Sequence, residues 1–181
     1  ERIEQATGNA ETGIRMHWLY FNDQSAKALE EAEYRYDSTA GYNEAVGYRC
    51  GTGQAFRPPG LQQLLELPMN IQDTALFYPG RMGLTDEEAW PLVRELLENA
   101  KNHGGALTVN WHDRSLAPER LWGEFYARIL EDLRGSKAWV ATAAQADRWF
   151  EKRRSAAFEE VAFSNGKVKL HIESDKDDGV P

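Results

Sequence analysis

Residues 107–115 read LTVNWHDRS, and the fold turns on how that stretch is built. Leu107, Val109 and Trp111 alternate with Thr108, Asn110 and His112, the period of two that marks a strand. The strand ends on His112-Asp113, two titratable groups, and a helical pattern follows: APERLWGEFYARILEDL (117–133) repeats Leu121, Trp122, Phe125, Ile129 and Leu133 at core spacing. A strand that ends on polar chemistry and runs into a helix is the unit from which α/β proteins build sites at strand carboxyl ends.

Working outward, the same unit recurs. GIRMHWL (13–19) sets Ile14, Met16 and Trp18 against Arg15 and His17, and DQSAKALEEAEY (23–34) follows with Ala28, Leu29 and Ala32 on one helical face. YRYDST (34–39) predicts a short strand. It leads into a loop over 40–60 that contains five glycines and two prolines, and a loop of that length in a compact domain is a functional candidate. LLELPMNI (64–71) alternates Leu65, Leu67, Met69 and Ile71 with Glu66 and Asn70. TDEE (85–88) is a capping box for a helix reaching about Asn102, with Val93, Leu96, Leu97 and Ala100 apolar and the glycines of HGG as its stop. Pro91 inside that pattern moves the expected start toward Trp90. KAWVAT (137–142) predicts a buried strand, and Thr142 with Gln145 caps a helix over TAAQADRWFEKRR. The tail differs: AFEEVAF and KVKLHIE flank Asn165-Gly166, the signature of a β-hairpin.

Three of these strands carry a polar stripe: Arg15/His17, Glu66/Asn70 and Asn110/His112. A parallel sheet covered on both faces is apolar on both. A polar stripe favours a barrel whose interior opens into a site. The expected architecture is therefore an incomplete (β/α) barrel over residues 1–155, with a hairpin and acidic tail over 156–181 as the possible start of a β domain.

With 181 residues, 41% of them hydrophobic, the chain is long enough for a sizeable core. A net charge of −8 argues against nucleic acid or an anionic membrane as partner. Cys50, the single cysteine, excludes an internal disulfide and a cysteine-rich metal site. No apolar run is long enough to span a membrane and no signal peptide is visible, so a soluble, cytoplasmic protein is the expectation. An opening on Glu1 and a close on KDDGVP suggest a piece of a longer protein.

Taken in order, GIRMHWLYF, YRYDSTAGYNEAVGYRCGTGQAFRP, LLELPMNIQDT and LTVNWHD resemble the later part of a polysaccharide deacetylase domain, over roughly residues 10–155. The resemblance implies a carbohydrate esterase with a distorted (β/α) barrel. It would remove an acetyl or similar acyl group from an amino sugar, with a divalent metal, usually zinc, as Lewis acid. It implies that His112 protonates the leaving amine, that Arg15 steadies the catalytic base, and that Asp37 lies where an aspartate orients the histidine. The family's paired aspartates and histidine pair, which hold the metal, have no counterpart in this chain.

The residue chemistry is consistent with such a reaction. Amide hydrolysis needs a proton for the departing amine, and histidine titrates near neutral pH. A carboxylate on the imidazole fixes its tautomer, and Asp37 and Asp113 are the two candidates for that role. His17, Arg49, Glu66, Asp73 and Trp111 are candidates for substrate contact, although Trp111 on an apolar stripe is better placed for the core. His103 and His171 read as structural. GTG (51–53) is no dinucleotide fingerprint, because Phe56 stands at the third glycine position. Two alternatives stay open: a catalytically inactive carbohydrate-binding domain, and a different barrel hydrolase built on Asp73, His17 and His112.

Overall fold

The computed structural model describes residues 5, 6, 8 and 12–173. The acidic tail lies outside the described residues. The protein is mixed α/β, and its chain divides into two compact units, 1–140 and 141–181.

In the first unit, β1 (Gly13–Ile14), β2 (Tyr36–Asp37) and β3 (Leu65–Glu66) pair in parallel in that order, and β4 (Met69–Gln72) pairs in parallel with β5 (Thr108–Asn110). β3 and β4 are one extended segment broken at Leu67-Pro68, since proline has no N–H for a ladder. The ladder nonetheless runs past the break: the Leu65, Leu67 and Met69 amides donate to the carbonyls of Arg35, Asp37 and Ala40. Four parallel strand positions therefore follow one another in chain order. Among the described residues these strands do not close into a barrel.

Helices α1 (Ser25–Glu31), α2 (Asp73–Phe77), α3 (Asp86–His103) and α4 (Gly123–Gly135) complete the unit. Its core joins Ile71 of β4, Leu76 and Phe77 of α2, Val93, Leu96 and Leu97 of α3, and Phe125 and Ile129 of α4. The Thr85/Glu88 capping box is formed as predicted. The helix nevertheless begins at Asp86 and carries Pro91 inside, rather than starting near Trp90. Elsewhere alternation overstates strand structure. After Ile14 the chain turns through a 3₁₀ segment, His17–Leu19, with Trp18 and Leu19 both at positive φ. KAWVAT is not a strand: residues 137–140 are exposed, Trp139 and Val140 among them. Apolar periodicity over so few residues does not say whether a partner sheet is within reach. Leu121 is likewise exposed, at positive φ, because 3₁₀ and turn geometry over 113–121 delays α4 to Gly123.

Gly41, in the long loop, is packed under Met69. A Cβ there would lie 2.4 Å from Met69 Cε and 2.9 Å from its Cβ. Gly41→Ala is expected to lower stability by about 1–3 kcal/mol, the range for overpacking, as read by chemical denaturation.

In the second unit, α5 (Ala143–Ser155) carries the predicted Thr142/Gln145 capping box. β6 (Ala157–Ser164) and β7 (Lys167–Glu173) form the predicted hairpin around Asn165-Gly166, both at positive φ. The cross-strand pairs Phe158–Ile172, Val161–Leu170 and Phe163–Val168 fall on one face. Phe158 and Val161 are three apart, so they would oppose each other without the register shift between Phe158 and Glu160; the extra residue restores the phase.

Candidate functional site

The parallel registers bring the polar stripes together. Ile14 pairs with Asp37, and Asp37 with Glu66, so two carboxylates stand side by side on adjacent strands. Both are buried, and they hydrogen-bond each other. Thr39 Oγ1 donates to Asp37, and the Ala40 amide donates to Glu66 Oε1 at 2.9 Å. Burial first, then the neighbouring Asp37 charge and the bond to it, push the Glu66 carboxyl up to about 8 against the opposing pull of the Ala40 amide and Arg15. Burial also raises Asp37, while its hydrogen bonds from Thr39, Ser38 and Glu66 favour its charged form. The shared proton therefore sits on Glu66, and Asp37 accepts it.

Arg15 leaves the end of β1 and ties this pair to the far strand. Its guanidinium donates to Ser38 O and Ser38 Oγ, each at 3.0 Å, and to Asn110 Oδ1 at 2.8 Å. Asn110 Nδ2 in turn donates to Gln72 Oε1 at 3.2 Å. Arg15, Ser38, Asn110 and Gln72 are thus linked by hydrogen bonds, and the Arg15 charge acts on the Asp37–Glu66 pair, so that polar groups at all four strand positions are coupled.

At the carboxyl ends of β4 and β5 lies the second element of the site. Asp73, fully buried, takes up both of its oxygens: Oδ1 faces His112 Nδ1 at 2.7 Å and accepts from the Thr74 amide at 2.6 Å, and Oδ2 accepts from the His112 amide at 2.7 Å. Its charge also sits at the first residue of α2, where the helix dipole favours an anion. The His112 side chain is 45% exposed while Asp73 is closed to solvent. One ring nitrogen is fixed and the other is left for a ligand.

The carboxylate that orients His112 is therefore Asp73, and neither Asp37 nor Asp113. Asp37 is taken up by Glu66 and Thr39. Asp113 is exposed and accepts from the Arg114 amide at 2.7 Å, the role of a turn cap. Trp111 packs into the core, stacked on Tyr126 at 5.2 Å and on Phe125 at 6.1 Å, away from the network. His17 is exposed in the 3₁₀ turn with its ring edge-on to Trp18. Arg49 lies over the Phe21 ring at 4.7 Å and donates to Gly41 O at 2.7 Å. Gln72 is the network member that sequence reasoning passed over; it continues the Glu66/Asn70 alternation by one more step.

Ligating groups are sparse around His112. The grouping of three potential metal ligands among the described residues is Glu159, His171 and Glu173, exposed on the hairpin of the second unit. No helix among the described residues is long and apolar enough to cross a membrane. No protein-family model, curated protein or solved structure matches the chain.

Proposed function

We propose that the first unit is the carboxyl-terminal part of a (β/α) barrel of the polysaccharide deacetylase type, which acts in a longer protein on an N-acetyl or similar acyl group of an amino sugar. The observation that carries this reading is the Asp73–His112 pair: a buried carboxylate on Nδ1 of a half-exposed histidine at the carboxyl end of a parallel strand. With Nδ1–H donated to Asp73, Nε2 faces outward. Protonated, the imidazolium gives its Nε2 proton to the amine nitrogen as the C–N bond breaks, and Asp73 stabilises the charge that His112 carries beforehand. The Arg15–Asn110–Gln72 network braces the ends of β1, β4 and β5, and so the strand that carries His112.

Curvature supports the barrel. Three strand spacings separate β1 from β5, roughly 14 Å on a flat sheet, with side chains standing perpendicular to it. Arg15 and Asn110 nonetheless meet at 2.8 Å, which supports a reading in which the strands curve toward a shared interior.

The divalent metal of the resembled family finds no fitting ligand set here. Asp73 and His112 are committed to each other, and the Glu159, His171 and Glu173 group sits in the other unit. In this reading the metal ligands belong to chain outside this sequence. Acetate release from N-acetylated amino-sugar oligomers with added zinc tests the proposal, comparing this chain, a version extended upstream, and His112→Ala in both. Release by the extended protein alone, lost with His112→Ala, is the expected result. Intact folding without release by either would overturn it and leave a sugar-binding domain.

A further inference from the structure

Two arginines of the first unit stand close to the Asp73–His112 pair with no carboxylate to balance them. Arg81 follows the YPG turn (78–80) after α2, and Arg120 lies in the turn geometry that precedes α4. Among the described residues neither makes an ion pair. Acidic residues outnumber Lys and Arg by 29 to 21 in this chain, so an arginine without an acid stands out from its surroundings. Both are also half-buried, and a charge drawn out of water without a counter-charge is costly.

Aromatic rings hold them instead. The Arg81 guanidinium lies 5.8 Å from the Trp18 ring centre and 6.0 Å from that of Tyr78. Arg120 lies 5.8 Å from Tyr78 and 5.0 Å from Trp122. Aromatic and guanidinium groups thus alternate through a chain of contacts, with Tyr78 common to both arginines and itself 47% exposed. Such contacts steady the charge, while the five N–H donors of each arginine lie in the plane of its fork. Arg81 gives one to Thr74 Oγ1 at 2.8 Å, and Arg120 gives one to Ser115 Oγ at 3.3 Å. The others suit a planar oxyanion.

The same two hydrogen bonds fix the arginines relative to the Asp73–His112 pair. Thr74, which Arg81 holds, donates its amide to Asp73 Oδ1 at 2.6 Å. Ser115, which Arg120 holds, donates its amide to the His112 carbonyl at 3.0 Å. Tyr78 ends α2, the helix that begins at Asp73, with its amide on Thr74 O at 3.2 Å. Arg81 therefore approaches from the segment after β4 and Arg120 from the segment after β5. Each is tied to a residue that bonds Asp73 or His112 directly.

We infer that Arg81 and Arg120 bind a carboxylate of the substrate, so that the amino sugar presented to His112 belongs to an acidic saccharide that carries a uronic acid or comparable group. The inference rests on the proposed carbohydrate reading. A carboxylate offers two oxygens in one plane, the match for a guanidinium fork. It also supplies the counter-charge that the fold leaves out. Both arginines determine specificity: they hold the substrate and take no part in the proton transfer. The protein then selects acidic saccharides over neutral ones of the same length.

The test measures binding to this chain by calorimetry. Its probes are a tetrasaccharide of alternating glucuronic acid and N-acetylglucosamine, the methyl ester of that tetrasaccharide, whose carboxyl groups are neutral, and inorganic phosphate. The proteins are wild type, Arg81→Gln, Arg120→Gln and the double variant, each checked for folding by circular dichroism. Wild type is expected to bind the acid at least about tenfold more tightly than the ester. Each substitution should weaken acid binding about ten- to a hundredfold, the worth of a hydrogen bond to a charged group, and leave ester binding as it was. A second measurement needs no variant: raising salt from about 0.05 M to about 0.5 M should erode the wild-type preference. Equal binding of acid and ester, no binding of the acid by wild type, or an unchanged preference in the folded double variant would overturn the inference. Phosphate bound as tightly as the acid would also overturn it, leaving a site for free anions. Failure of the deacetylase reading looks different: an arginine-dependent preference for the acid together with no acetate release by the extended protein.

Discussion

Replacing Asp73 by Asn is expected to lower acetate release by the extended protein about 10²- to 10⁴-fold, the contribution of a positioned proton-transfer group. The side chains are the same size, so the effect is one of proton placement. Asp73 accepts three hydrogen bonds, two from amides and one from the imidazole. An asparagine has one acceptor oxygen, and its NH₂ must face either the Thr74 or the His112 amide. In one orientation it confronts the His112 N–H. In the other it confronts the Thr74 N–H and favours a histidine that carries its proton on Nε2, the reverse of the working tautomer. Either way a buried donor loses its partner, at about 1–3 kcal/mol of stability. ¹⁵N-imidazole NMR of this chain reads the tautomer without any activity: neutral His112 carries its proton on Nδ1 in wild type, and in Asp73→Asn that preference is lost where the amide NH₂ takes the place of Oδ1. In the extended protein the substitution should add little to the loss already caused by His112→Ala, because the two groups act as a unit. An unchanged tautomer with an unchanged rate would remove Asp73 from the site.

Asp73 also shows where the sequence is readable and where it is not. The strand, His112 and the polar stripe follow from alternation, and the structure couples Arg15 to Asn110 by a hydrogen bond and to Glu66 by charge. The partner of His112 does not follow from alternation, because it depends on which strands are neighbours. Had β4 and β5 been set side by side as consecutive parallel strands, the register Gln72 with Asn110 would have put the next residues, Asp73 and His112, at the same sheet end. The Asp37–Glu66 pair hides for the same reason, since it is a cross-strand contact between β2 and β3. The capped helices and the Asn165-Gly166 hairpin were legible because their signals are local: a few side chains close their own hydrogen bonds. KAWVAT had the opposite problem, an apolar run with no sheet to join. The arginines around Tyr78 could not be read as a group at all, because Trp18, Arg81 and Arg120 come from three separate segments that meet only in the fold.

Glu66 should make the protein less stable as pH rises from 4.5 to about 8. In the unfolded chain its carboxyl returns to its ordinary value of 4.5, and in the fold it is held at about 8. Between those values the native state keeps a proton that the unfolded state has lost. Stability then falls with rising pH, because the slope follows protons bound in the unfolded state minus those bound in the native state. The contribution is fully present below 4.5 and is gone above 8, where Glu66 and Asp37 must both carry charge while buried. Asp37, also raised by burial, acts in the same direction. The span is on the order of a few kcal/mol, since each tenfold gain in proton affinity on folding is worth about 1.4 kcal/mol. Glu66→Gln tests this cleanly. The amide oxygen can still accept from Ala40, and the NH₂ can donate to Asp37 as the carboxylic acid does. Denaturation curves at or just below pH 4.5 should nearly coincide for the two proteins. At pH 9 the variant should be the more stable by a few kcal/mol, with its pH dependence flattened. Parallel curves for wild type and Glu66→Gln across that range would show that no proton is shared, and Arg15 would then be balancing two charges rather than one.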